Sequence, residues 1–179
     1  MTSDRNGKIQ SNGTTMDSPR NLATVEFPIS NRALDSGHNI QYCTFEIVDL
    51  LVGIEVGIVQ EVLRNQQMTF VPLASKGVRG LINLRGQIVT ALDLRSRFGL
   101  EPRPAGASAM NAVIRHNDEV ISLLVDRTRD VVEPSPESFE PVPATVAPQI
   151  RKLCTGTFKL SGRLLLILDT DKVVDLSAS

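Results

Sequence analysis

The first candidates for chemistry in this chain are two aspartates, Asp93 and Asp169, each of which follows an apolar, strand-like run. Two carboxylates could divide general acid and general base roles between them. The same position also suits an N-cap, in which the carboxylate accepts the free N–H groups of a helix's first turn. Because each aspartate also precedes a short helical segment, we expect two caps and not a catalytic pair.

The histidines and cysteines do not form a ligand set in the sequence. His38 and His116 are far apart and are expected at the surface, without partners. Cys43 and Cys154 lie in apolar runs and lack metal-ligand spacing, so we expect buried free thiols. The sequence contains no nucleotide-binding or nucleophile-elbow motif. We therefore predict a protein that is not an enzyme and has neither a metal nor a cofactor.

The two aspartates close two copies of one sequence pattern. Residues 80–93 read GLINLRGQIVTALD and residues 156–169 read GTFKLSGRLLLILD, with five identities where average usage predicts about one. Residues 56–62 also resemble residues 125–131. Further matching pairs are Phe70 with Phe139 and Pro72 with Pro141. The folded part is therefore predicted to be an internal duplication.

Within this pattern the two copies share the glycine of the hairpin turn and differ at the residue before it. Gly86 and Gly162 lie where such turns need a positive φ, so both are predicted to be structural. The preceding residue is Arg85 in one copy and Ser161 in the other, so the turn does not require an arginine. Arg85 is therefore either a solvated turn residue or a binding residue.

Many short strands with regular turn signals predict an all-β fold of two small barrels, with about five strands each and short helices. Residues 1–38 are rich in Ser, Thr, Asn and Gly and are predicted to be a disordered tail. The folded domain is expected over 39–179. Its first barrel unit covers about 40–100 and its second about 109–176, joined by the Pro/Ala/Gly linker 101–108.

Bulk composition excludes several classes of partner. With 19 basic and 20 acidic residues the net charge is −1, which argues against nucleic acid or an anionic membrane. Aromatic residues make up 4%, so stacking platforms for single strands are scarce. No apolar run is long enough to insert in a membrane, and the N-terminus has no secretory h-region. A cytoplasmic protein is expected.

Residues 78–100 read VRGLINLRGQIVTALDLRSRFGL, and this segment resembles the signature of the CheW family of bacterial chemotaxis coupling proteins. The resemblance extends over about residues 41–176, with residues 59–62 and 156–174 fitting the same pattern. It implies two intertwined five-stranded SH3-like β-barrels and a scaffold without catalytic activity. A small-ligand-binding β-barrel remains an alternative from composition and pattern alone.

The resemblance also implies partners and a location. The expected partners are the cytoplasmic tips of methyl-accepting chemoreceptors and the regulatory domain of the histidine kinase CheA, in membrane-associated receptor arrays. A related chemosensory pathway, for another motility or for development, stays open. The repeat counterpart of Glu61 is Asp130, so an acidic residue there could also serve local structure. The receptor-binding positions that the resemblance implies are Val59, Glu61, Val62, Arg85 and Ile88.

Overall fold

The computed structural model describes residues 25–26, 40–64 and 66–177, which form an all-β protein with short helices. The predicted tail, residues 1–38, lies outside the described residues except at Val25 and Glu26. These two residues form a strand, so the expected absence of regular structure is corrected at this point. The two residues form a strand because their backbone pairs with that of another strand.

Thirteen strands are present among the described residues. They are β1 Val25–Glu26, β2 Tyr42–Ile47, β3 Leu50–Glu55, β4 Val59–Arg64, β5 Met68–Thr69, β6 Val78–Leu84, β7 Gln87–Asp93, β8 Met110–His116, β9 Glu119–Val125, β10 Arg127–Val132, β11 Phe139–Glu140, β12 Cys154–Leu160 and β13 Arg163–Leu168. The helices are α1 Leu94–Arg97, α2 Pro148–Arg151 and α3 Thr170–Val174, and 3-10 turns cover Val56–Ile58 and Pro136–Ser138.

Each of the two sheets takes strands from both copies of the repeat. The first sheet has the order β1-β4-β8-β9-β7-β6-β5 and the second β10-β2-β3-β13-β12-β11. Hairpin β8–β9 of the second copy thus completes the sheet of the first copy, and β2–β3 does the reverse. Parallel pairs β7–β9 and β13–β3 join the copies. This exchange is the intertwined arrangement that the resemblance implied.

The strand count agrees with the sequence prediction once the edges are considered. Each sheet has five strands of six or seven residues, and only the two-residue strands β1, β5 and β11 exceed the predicted number. Short edge strands limit the unpaired backbone that a sheet offers to other chains. The five long strands therefore carry the repeat, and the two-residue strands complete its edges.

The largest apolar cluster lies between the sheets and contains residues of both. Phe45 and Ile54 contribute from the second sheet, and Leu92, Ile114 and Leu123 from the first, each at most 1% exposed. Full burial of such a side chain stabilises the fold by about 1.5–3 kcal/mol. Because this core is shared, the two copies form one folding unit.

Candidate partner-binding site

Arg85 lies at the tip of the hairpin formed by β6 and β7. Leu84 pairs with Gln87 across a two-residue turn, and Arg85 and Gly86 have φ of 50° and 89°. Positive φ at both central residues defines a type I′ turn, whose twist matches that of the flanking strands. The Asn83 side-chain oxygen accepts the Gly86 N–H at 2.8 Å. The turn therefore holds Arg85 in a defined place.

The Arg85 side chain extends towards β4 and contacts Glu61. Its Nη2 atom lies 3.1 Å from Oε2 of Glu61. The arginine side chain is 72% exposed, whereas that of Glu61 is 13% exposed. A surface pair of this kind contributes about 0–1 kcal/mol to stability. Its main effect is thus to orient an exposed guanidinium against a half-buried carboxylate.

Val59 and Val62, predicted to contact a partner, point into the core instead. Both are 2% exposed. The pairing with β8 shifts register between Val59 and Glu61, which marks a β-bulge. Strand alternation alone would place Val59 and Glu61 on one face, and the extra residue of the bulge separates them. The expectation is therefore corrected for the two valines, which support the strand that carries Glu61.

Ile88 supplies an apolar surface near the same hairpin tip. It is 62% exposed and lies opposite Asn83, one step along the ladder from the turn. An exposed apolar side chain next to an arginine is a common composition for protein–protein interfaces. We call Arg85, Glu61 and Ile88 together the Arg85 surface.

The equivalent turn of β12 and β13 serves a different purpose. Gly162 again has a positive φ, 78°, but the residue before it is Ser161. The neighbouring Arg163 donates to the buried Glu46 at 2.8 Å, and Arg129 donates to it at 2.7 Å. Hydrogen bonds from Arg129 and Arg163 lower the pKa of the Glu46 carboxyl. The basic residue of this hairpin thus binds within the fold.

Asp93 and Asp169 cap two different helices. Oδ1 of Asp93 accepts the Arg95 N–H at 3.0 Å at the start of α1. Oδ1 of Asp169 accepts the Lys172 N–H at 3.2 Å at the start of α3. Burial raises the pKa of Asp169, but hydrogen bonds from Lys172 outweigh it and the net shift is downward. Both aspartates therefore act in the capping role that their sequence positions suggest.

The other candidate residues do not assemble into a site. Cys43 and Cys154 are free and buried, and burial raises the pKa of their thiols to about 11 and about 12. His116, expected on the surface without a partner, has a side chain only 15% exposed, with Nε2 3.2 Å from Oδ1 of Asp171. That expectation is corrected, because α3 packs beside the β8–β9 turn. His38 lies outside the described residues.

Sequence reasoning missed a charged cluster that fastens the linker. Asp126 accepts from Arg95 Nη2 at 2.6 Å, from Arg103 Nε at 2.9 Å and from the Val48 N–H at 2.7 Å. Burial raises the pKa of Asp126, but these hydrogen bonds outweigh it and lower the pKa overall. The one available signal was the repeat, in which Asp126 stands where the first copy has Gly57.

Comparisons with known proteins agree with this architecture. The family model of the CheW-like domain matches residues 41–178. The chemotaxis protein CheW of Helicobacter pylori is 28% identical over 140 residues, covering 78% of this chain and 84% of the relative. That of Thermotoga maritima is 27% identical over 143 residues, covering 79% and 91%.

A solved structure shows the same fold. The crystal structure of the scaffolding protein TtCheW from Thermoanaerobacter tengcongensis matches with a TM-score of 0.71 and 22% identity, covering 84% of this chain and 97% of that one. The two proteins therefore share a fold. The chain belongs to the CheW family of chemotaxis adaptors. No helix in the described part of the chain has both the length and the apolar character to cross a membrane.

Proposed function

We propose that this protein couples methyl-accepting chemoreceptors to a CheA-type histidine kinase, as a scaffold that does no chemistry itself. The observation that carries the proposal is the Arg85 surface, an exposed guanidinium oriented by Glu61 beside an exposed Ile88. The proposed location is the cytoplasm, at membrane-associated receptor arrays. A related chemosensory pathway would use the same contacts.

The receptor tip is the partner that we assign to the Arg85 surface. Arginine offers several donors in a fixed fork, so it can keep Glu61 on one side and bind an acceptor of the partner on the other. Ile88 adds apolar contact that loses water on binding. Arginines in such settings are frequent hot spots, and loss of one costs about 2 kcal/mol or more in binding.

We assign the kinase regulatory domain to a separate apolar surface. Phe70 and Leu73, in the segment between β5 and β6, are 73% and 103% exposed and are the most exposed large apolar side chains in the described part of the chain. Neighbouring exposed apolar side chains are typical of protein interaction sites. A scaffold needs two such surfaces, because it must hold both partners at once.

A small-ligand-binding barrel has less support. The space between the two sheets is filled by a continuous apolar cluster, in which side chains such as Phe45 and Leu123 are fully buried. A ligand site inside the barrels would need a hollow lined by convergent polar groups there instead. A hollow with charged groups, including Lys76, Arg79 and Arg103, does exist, but it lies beside the linker.

The test is reconstitution with a purified receptor-tip fragment and the purified kinase regulatory domain. Arg85→Ala should weaken receptor binding tenfold or more and leave kinase binding unchanged, and a Phe70→Ser, Leu73→Ser double variant should do the reverse. Lys159→Ala is the matched control, because Lys159 is 65% exposed and paired with Glu140 at 2.8 Å on the second sheet. Failure of the parent to bind either fragment would contradict the proposed function.

A further inference from the structure

The first sheet ends in a strand from the N-terminal part of the chain. Strand β1 pairs antiparallel with β4, with Val25 opposite Val62 and Glu26 opposite Glu61. Without β1, strand β4 would be the edge of its sheet. The backbone of β1 therefore lies beside Glu61, the residue that orients Arg85.

The equivalent edge of the second sheet has no such cover among the described residues. There the outermost strand is β10, which matches β4 in the repeat and pairs only with β2. Strand β10 protects itself with exposed charges at Arg127, Arg129 and Asp130. Charged edges resist the addition of another strand. Strand β4 has Glu61 and Arg64 as its only charges, so its edge is the more receptive of the two.

The sequence around β1 suits a short added strand. Residues 24–27 read TVEF, three of which are good strand formers, and Pro28 follows, which cannot donate to a ladder. The segment pairs with β4 of its own chain, to which the 14 residues from 27 to 40, with a maximum span of about 46 Å, tether it. A tethered segment binds at a high effective concentration even when its own contacts are few.

We propose that the segment around Val25 and Glu26 is a built-in strand that covers the β4 edge and competes with the receptor tip for the Arg85 surface. Strand addition to a sheet edge is a general mode of peptide recognition. The competition rests on the receptor-binding function proposed above, whereas the covering of β4 does not. Opening of the segment would then be a step that precedes receptor binding.

Two variants test the competition by titration with the receptor-tip fragment. Deletion of residues 1–38, or a Val25→Pro, Glu26→Pro double variant, should tighten binding about threefold to tenfold, as expected if the edge is covered two-thirds to nine-tenths of the time. A Thr14→Pro, Thr15→Pro double variant adds the same two prolines elsewhere in the tail and should bind like the parent. Equal affinity of parent, deletion and proline variant would overturn the competition.

Hydrogen exchange on the protein alone separates this inference from the proposed function. Those backbone amides of residues 61–63 that face β1, and not β8, should lose protection in the deletion and in the Val25→Pro, Glu26→Pro variant, and keep it in the Thr14→Pro, Thr15→Pro variant. Unchanged protection in all of them would show that β1 does not cover β4. If protection falls, affinity stays constant and Arg85→Ala still weakens binding, the proposed function stands and the competition is wrong.

Discussion

The hairpins β6–β7 and β12–β13 have the same sequence pattern, yet only one presents a charged tip, where Arg85 has a positive φ and Ser161 does not. Both keep a glycine with positive φ, Gly86 or Gly162, and both end in an aspartate that caps a helix. The tip residue is Arg85 in one and Ser161 in the other. The fold requires what the copies share, so the exposed difference is where we look for function.

The same contrast recurs beside these hairpins. Phe139 covers Gly156 and packs against Phe158 with tilted rings whose centroids are 5.1 Å apart. Its counterpart in the sequence repeat, Phe70, is 73% exposed, and Met68 takes the equivalent ladder position, opposite Ile82. The second copy thus folds its aromatic side chain onto its own sheet, whereas the first leaves it exposed. Arg163 and Phe139 of the second copy make contacts within the fold, whereas Arg85 and Phe70 of the first copy are largely exposed.

The largest expected effect on stability comes from the charged cluster around Asp126, which joins the second copy to Arg95 of the first copy and to Arg103 of the linker. Asp126→Asn removes the charge that faces Arg95 and Arg103, whose side chains are 14% and 11% exposed. Arg103 keeps Asp93 at 3.4 Å, but Arg95 loses its paired carboxylate while mostly buried, which should cost about 3 kcal/mol, measured by urea unfolding. Asp118→Asn, in an exposed turn, is the control and should change stability by less than about 0.5 kcal/mol. Equal urea midpoints for the two variants would show that the cluster does not stabilise the fold.

The same carboxylate predicts a dependence of stability on pH. The folded-state pKa of Asp126 lies below its unfolded value of about 3.9, so its contribution is complete above that value and is lost as pH falls through the folded pKa. Unfolding free energy should therefore decline below about pH 4, and the decline should be shallower in Asp126→Asn. Parallel curves for parent and variant, from thermal melts between pH 5 and pH 2, would contradict this.

Equivalent glycines should respond unequally to an added methyl group. A Cβ at Gly80 would lie 2.6 Å from the backbone oxygen of Thr69, so β5 itself must move. At Gly156 the obstacle is the end of the Phe139 ring, which is 45% exposed and can swing outward. We expect Gly80→Ala to cost about 2 kcal/mol and Gly156→Ala about 1 kcal/mol, by chemical denaturation. The reverse order would mean that the backbone yields more easily than the ring.

The turn glycines should give smaller and similar effects. Gly86 and Gly162 have φ of 89° and 78°, and neither has an atom within 4 Å of an added Cβ. Only backbone strain opposes a side chain there, so Gly86→Val and Gly162→Val should each cost on the order of 1 kcal/mol in thermal melts. If both variants melt like the parent, the two turns do not require a residue that favours positive φ.

The sequence pattern predicted the repeated elements well, because alternation, glycine turns and aspartate caps are local signals. It did not predict β10, since nearly every residue of that strand is exposed and charged residues hide its periodicity. The family resemblance, and not the pattern, implied Val59 and Val62 as receptor-binding positions, and the β-bulge beside them leaves no mark in the sequence.

Contacts between residues far apart in the sequence could not be predicted, because they leave no local pattern. Asp126 meets Val48 across 78 positions and Arg95 across 31, and no local pattern links them. The pairing of β1 with β4 joins the predicted tail to the predicted site, which composition could not indicate. The internal repeat was the best substitute for such information, because it separated the residues that both copies need from those that only one copy has.

The most direct test compares the two hairpin tips in one experiment. Arg85→Ala should weaken binding to a receptor-tip fragment by about 2 kcal/mol, roughly thirtyfold, and change unfolding free energy by less than about 0.5 kcal/mol. Ser161→Ala should change neither quantity. Calorimetric titration beside thermal melts of both variants gives the answer. Unchanged affinity in Arg85→Ala, or an equal loss in Ser161→Ala, would contradict the claim that function lies where the copies differ.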